Sequence, residues 1–223
     1  METFQQEVAP KVAKIELFEG LNLREIEQVL HCFHIQRKTY RKGERVHEIG
    51  DSYESVGVIL EGRVQMQGVD FWGNLQLIKE FRALEIYGDG HSMTRDPMFF
   101  EMVAMEPTTI LFIHIKSIIH TCHHSCAAHQ KVIYNFLQII ARKKLDYMQQ
   151  VDMLSQRSIR EKVERFLSQQ SKIQGSLTFR IPYSRQQLAD YLAVDRSALS
   201  RELSAMQKEG ILTYYRDKFT LKK

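Results

Sequence analysis

The apolar residues of this chain change their period along its length, and that change limits the fold more than any bulk property. Residues 10–34 carry Leu17, Phe18, Leu21, Leu23, Ile26, Val29 and Leu30 at helical spacings. Over residues 35–115 short apolar or alternating runs are instead separated by Gly43, Gly50, Gly57, Gly62, Gly68, Gly73, Gly88 and Gly90. Residues 56–60 predict a buried strand that turns at Glu61-Gly62, and Val64, Met66 and Val69 alternate roughly with polar residues. Trp72-Gly73-Asn74 is the expected tip of a hairpin that returns through residues 75–81. On a last strand Ile110, Phe112 and His114 share one face and Leu111, Ile113 and Ile115 the other. Short strands with regular turn signals predict an antiparallel roll or jelly roll.

After Lys116 the helical period returns. Ile133, Leu137, Ile140, Lys144, Tyr147, Val151 and Leu154 follow a 4-3-4-3-4-3 spacing, a heptad seam with one polar interruption at Lys144. A 3.5-residue repeat held this long favours a coiled-coil dimer over a helix that only packs on its own barrel. Ser155 and Ser158 break the pattern, so three parts are expected: 1–126, helices and roll; 127–154, dimerisation helix; 155–223, C-terminal domain.

In that last part residues 184–203, SRQQLADYLAVDRSALSREL, predict two short helices joined by a tight turn at Ala193 and Val194. Leu188, Ala189, Leu192, Leu199 and Leu203 point inward, and Asp195 is placed to cap the second helix. Arg196, Ser197, Ser200 and Arg201 then face outward, a set suited to base edges in a major groove. Gly210 is expected to end the second helix, and residues 211–221 to form a hairpin carrying Arg216 and Lys218, the pattern of a winged helix-turn-helix. Charge agrees: residues 155–223 hold 14 Lys and Arg against 7 Asp and Glu, while the rest has 17 against 20. A basic concentration of this kind is the electrostatic footprint of phosphate binding.

Other classes are disfavoured. At 43% hydrophobic and 26% charged residues, the chain has an ordinary globular composition. Its apolar runs fall short of the about 20 residues of a membrane span, and residues 1–18 lack a basic start with an apolar core. Three cysteines argue against a disulfide framework, which makes the cytoplasm the expected compartment.

A glycine-punctuated barrel, a long seam helix and a winged helix-turn-helix, in this order, resemble the cyclic-AMP receptor / fumarate–nitrate regulator (CRP/FNR) family of bacterial transcription factors. The resemblance runs from Leu17 to Leu221 and is carried by LFEGL (17–21), RKGERVHEIGD (41–51), GVILEGRV (57–64) and the helix-turn-helix. It implies an α+β fold with an antiparallel β-roll sensor, a dimerisation helix and a DNA-binding domain. The implied activity is a non-enzymatic regulator that binds a palindromic operator as a homodimer and touches RNA polymerase. By position, Arg201 matches the arginine that reads a guanine, Arg196 a base or phosphate contact, Ser200 a base contact, and Arg185 and Gln186 backbone contacts. Ser197 departs from the family, whose members often carry a glutamate there, so a different half-site is expected.

The sensor segment departs further. Cyclic-AMP-binding members hold the ribose with a Phe-Gly-Glu segment and the phosphate with an Arg-Ser/Thr pair. Here Gly88-Asp89 is followed by Gly90, His91, Ser92 and Met93, and Val103-Ala104 is preceded by Phe99, Phe100, Glu101 and Met102. An anionic phosphate needs a cation or a cluster of amides, so cyclic AMP is not the expected ligand. Only Cys32 lies in the first forty residues, against the four ligands of an iron–sulfur cluster. Cys122, Cys126 and His129 fall on one helical face and can be read as a zinc or haem ligand set, a redox dithiol, or two small buried residues with solvated histidines nearby. Two rival functions are a constitutive DNA-binding protein whose roll has lost its ligand, and a cupin-like metal enzyme, for which the barrel offers no His-x-His pair.

Overall fold

The computed structural model describes residues 4–69, 75–120 and 126–222. The expected hairpin tip at Trp72, Gly73 and Asn74 lies outside them, as does Cys122. The chain forms two compact units, Met1–Ala141 and Arg142–Lys223.

The first unit opens with α1 (Phe4–Val12), a 3-10 turn (Glu16–Phe18) and α2 (Leu23–Cys32). The helical stretch expected over residues 10–34 is thus interrupted. Gly20 takes φ +79, and Asn22 starts a new helix through a capping box with Glu25, whose backbone and carboxylate bonds measure 3.1 and 2.8 Å.

The roll consists of β1 (Ile35–Tyr40), β2 (Arg45–His47), β3 (Ser55–Glu61), β4 (Arg63–Val69), β5 (Leu75–Arg82), β6 (Ile86–Tyr87), β7 (Glu101–Ala104) and β8 (Thr108–His114). They form two antiparallel four-stranded sheets, ordered β1-β8-β3-β6 and β2-β7-β4-β5. The chain leaves the first sheet for the second at Gly62, whose φ is +88. A Cβ there would sit 2.4 Å from Thr108 Oγ1 and 2.5 Å from the Pro107 carbonyl, so the corner requires glycine.

β3 is a near-continuous apolar run because both of its faces are buried. Val56, Val58 and Leu60 meet the helices, and Ile59 meets the space between the sheets. β8 divides in the same way: Leu111 and Ile113 pack on the helical side, Ile110 and Phe112 on the inner side. The alternation expected for that strand holds, with each face finding its own core.

α3 (Asp89–Thr94) and α4 (Ile115–Ile119) are short, and α5 (Ala127–Leu154) is 28 residues long. Val132, Phe136 and Ile139 of α5 complete the core shared by α1, α2 and the first sheet. Buried Asn135 donates through Nδ2 to the Leu17 and Glu19 carbonyls at 3.1 and 2.9 Å, tying α5 to the LFEGL turn.

The second unit contains α6 (Ile159–Gln174), β9 (Thr178–Arg180), α7 (Arg185–Tyr191), α8 (Arg196–Lys208), β10 (Leu212–Tyr215) and β11 (Lys218–Leu221), with the strands ordered β10-β11-β9. Leu188, Ala189, Leu192, Leu199 and Leu203 are buried together with Phe166, Phe179 and Phe219. α6 is capped by a Ser158/Glu161 capping box.

Candidate nucleic-acid interface

α7 and α8 meet at a turn held by two backbone bonds, Ala193 N to the Asp190 carbonyl at 3.1 Å and Val194 N to the Ala189 carbonyl at 3.0 Å. Ala193 takes φ +50, a left-handed conformation that a small side chain tolerates at some cost. The Ser184 side chain caps α7 in a capping box with Gln187. Asp195 caps α8: its Oδ1 accepts from Ala198 N at 2.9 Å and from the Ser197 hydroxyl at 2.5 Å. These bonds, the Ser197 hydroxyl first, hold the Asp195 carboxyl below its ordinary range. Gly210 ends α8 at φ +80 in a Schellman arrangement, with Gly210 N donating to Gln207 O at 3.1 Å and Ile211 N to Met206 O at 3.0 Å.

With Leu199, Leu203 and Met206 inward, α8 turns Arg196, Ser197 and Arg201 to solvent and leaves Ser200 half-buried. Ser200 donates to the Arg196 carbonyl at 2.9 Å. Neither Arg196 nor Arg201 has an ion-pair partner among the described residues, nor has Lys218. Carboxylates elsewhere in the unit are engaged: Arg160 holds Glu164 at 3.2 Å, Glu202 at 3.8 Å and Glu209 as well. The outward face of α8 therefore presents two arginines free of ion pairs among the described residues, with the Asp195 cap as the carboxylate on which Arg201 acts.

Arg185 and Gln186 lie at the start of α7. Gln186 is exposed and donates to Asp190 at 2.8 Å. Arg185 is less free than expected, because its guanidinium lies 4.9 Å from the Tyr214 ring and 5.8 Å from the Phe219 ring. Burial there lowers its affinity for the proton, and Arg196 nearby adds to the effect. This staple between α7 and the hairpin carries no spacing signal; it depends on which rings the folded hairpin presents. At the hairpin apex Arg216 takes φ +53 with its guanidinium 5.4 Å from the Tyr215 ring, while Asp217 accepts from Arg180 at 2.8 and 3.0 Å.

The seam residues of α5 divide: Ile140 packs at the edge of the roll's core and Leu154 against the core of the C-terminal unit. Leu137, Lys144, Tyr147 and Val151 are exposed, and Ile133, Ile140 and Leu154 are half-buried. Beside them Tyr134, Leu145 and Met148 are also exposed.

In the roll, His91 of α3 lies 6.3 Å from the Tyr53 ring and 6.1 Å from the Phe99 ring. His47 also stacks on Tyr53, at 4.2 Å, and reaches the Tyr87 hydroxyl through Nε2 at 3.4 Å. The arginines at this end are engaged: Arg95 pairs with Glu54 at 2.8 Å, and Arg45 with Glu101 at 3.0 Å. Ser92 spends its hydroxyl on the Asp89 carbonyl at 3.2 Å.

His129 is buried, with Nε2 3.1 Å from the Ile118 carbonyl and Nδ1 unpartnered among the described residues; Cys126 is half-buried. The described residues contain no grouping of three or more His, Cys, Asp or Glu able to hold a metal. None of their helices is long and apolar enough to cross a membrane.

Comparison with known proteins matches residues 161–223 to the Crp-like helix-turn-helix domain and residues 37–125 to the cyclic nucleotide-binding domain, together about two thirds of the chain. The chain belongs to the CRP/FNR family. One relative, the cyclic AMP receptor protein of Thermus thermophilus, is 22% identical over 196 residues, 88% of this chain and 87% of that protein. Among solved structures, the Thermus thermophilus catabolite activator protein covers 93% of both chains at 22% identity and a TM-score of 0.55. OCPA-complexed CprK covers 88% of both at 18% identity and a TM-score of 0.61. The fold is accordingly α+β: an N-terminal cyclic-nucleotide-binding-like roll, a long helix and a C-terminal winged helix-turn-helix. Like the family as a whole, the chain is a DNA-binding transcription regulator.

Proposed function

We propose that the protein acts as a homodimer on a two-fold-symmetric operator in the cytoplasm, with the α8 helices of two copies entering successive major grooves about 34 Å apart. The outward face of α8 carries this reading, with Arg196 and Arg201 exposed and free of ion pairs among the described residues. Arg201 reads a guanine through O6 and N7, Arg196 contacts base or phosphate, and Ser200 approaches a base edge. Gln186, Arg185 and Lys218 contact the backbone. The Ser197 hydroxyl already donates to Asp195, so it offers a base only its lone pairs, and at shorter reach than a glutamate.

The parts divide the labour as sensor (1–126), dimerisation helix (127–154) and reader (155–223), with RNA polymerase as a further partner. The apolar side chains that α5 leaves exposed support the dimer, because Leu137 and Val151 are 58% and 67% exposed. A signal biases the placement of the two readers about the Leu154–Ser158 junction. That signal is not cyclic AMP: His91, Ser92 and Met93 replace the ribose segment, and Arg45 and Arg95 are held by Glu101 and Glu54.

One observation favours a second reading, a constitutive regulator. Ile59, Phe81, Tyr87, Met98, Met102 and Phe112 fill the space between the two sheets with the protein's own side chains.

Selection from random duplex DNA by the purified chain, without effector and at about 0.15 M salt, tests the function. A symmetric site with half-sites one helical turn apart is expected; enrichment of no sequence would count against it.

A further inference from the structure

We propose that the apex of the β10–β11 hairpin is a second DNA-reading element, in which Arg216, propped on Tyr215, enters the minor groove beside the major-groove half-site and senses its width. The proposal rests on α8 being a major-groove helix.

Arg216 sits at the apex at φ +53, a conformation that glycine or asparagine would take with less strain. Its guanidinium lies 5.4 Å from the Tyr215 ring, which is itself 72% exposed. Contact with the ring restricts the long side chain, so less conformational freedom is lost when it inserts into a groove. The adjacent Asp217 is engaged by Arg180 through both of its oxygens at 3.0 and 2.8 Å, so it acts on Arg216 through space and forms no ion pair with it among the described residues.

The apex is also fixed relative to the reading helix. Tyr215 pairs with Lys218 across the hairpin and Lys218 with Arg180 on β9. Arg185 of α7 lies over Tyr214 and Phe219, and the Tyr214 hydroxyl is 3.4 Å from Ser204 Oγ on α8. A rigid hairpin flanking a helix seated in the major groove meets the phosphate ridge that bounds that groove, and the next groove beyond the ridge is the minor one. Its floor carries the strongest negative potential where it is narrow, as in A-tracts. A planar, weakly hydrated guanidinium enters such a groove more readily than a hydrated ammonium.

The test uses the full chain and the site recovered by selection, flanked outside each half-site by either an A-tract or a G·C-rich segment of equal length. The wild type should bind the A-tract version several-fold more tightly. Arg216→Lys keeps the charge but loses the planar fork, and should bring the ratio of the two affinities toward one. Arg216→Gly relieves the left-handed strain, so a misfolded apex cannot explain its result; it should lose the ratio as well. A wild-type ratio of one, or an Arg216→Lys variant that keeps the preference, overturns the proposal and leaves the apex as a phosphate contact. Failure to prefer any duplex over random DNA, whatever the flank, overturns the reading of α8 and this proposal with it.

Discussion

Arg201 stands on the exposed side of α8 without an ion-pair partner among the described residues, and its charge helps to lower the Asp195 carboxyl at the start of that helix. A guanidinium that pairs bidentately with guanine contributes discrimination as well as affinity. Arg201→Ala should therefore cost about 1–3 kcal/mol on the selected operator and far less on random duplex. Equal losses on both, in equilibrium titrations at one salt concentration, would make Arg201 a phosphate contact. His47 is a residue-scale effect of the opposite kind. Burial, the largest cause, pulls it from its ordinary 6.5 to about 4. Between those values the unfolded chain binds the proton and the folded one resists it. The stability gained from a neutral ring is thus complete above pH 6.5 and is lost as the pH falls toward 4. Allowing for partial contact with water, that loss is about 2 kcal/mol. Melting curves of the wild type and His47→Gln should converge over this interval; parallel curves would show that the ring is not held neutral.

At the scale of elements, α5 carries two apolar faces. Val132, Phe136 and Ile139 are buried against the roll, and Tyr134, Leu137, Leu145, Tyr147, Met148 and Val151 are exposed. A charge placed in the second face costs the monomer little, yet must be desolvated in a seam between copies. Leu137→Asp and Val151→Asp should keep the helical spectrum and sediment as monomers, with weaker operator binding because the two readers are no longer linked. Variants that remain dimeric would place the interface elsewhere. Of the heptad seam, Leu137, Tyr147 and Val151 fall on this face, while Ile133, Ile140 and Leu154 are half-buried. The sequence did not reveal how the N-terminal stretch is cut into α1, a 3-10 turn and α2, although Asn22 and Glu25 stand three apart as a capping box requires. The apolar period continues through that break and masks it.

For the whole molecule, the question is what the roll responds to. Its interior is packed with the protein's own rings, and its arginines near α3 are engaged by carboxylates. Titration with cyclic AMP in a calorimeter should give no binding heat at micromolar concentrations; a saturable micromolar isotherm would refute the assignment and require Arg45 or Arg95 to leave its partner.

The roll of short strands, the long helix, the turn between α7 and α8, the Asp195 cap, the Gly210 terminus and the outward Arg196, Ser197 and Arg201 were legible in the sequence, whereas Ser200, expected to face outward, is half-buried. Each depends on residues a few positions apart, and backbone geometry converts such spacings directly into faces and ends. Tertiary structure alone decided that Arg185 is stapled to Tyr214 and Phe219, that Arg180 engages both oxygens of Asp217, that His129 is buried against the Ile118 carbonyl, and that Glu54 and Glu101 hold the arginines of the sensor end. In the widest of these pairs, Arg45 and Glu101, the partners are 56 residues apart. Which cation meets which ring or carboxylate across such a separation is set by sheet order and register, and neither is written in the local pattern of the chain.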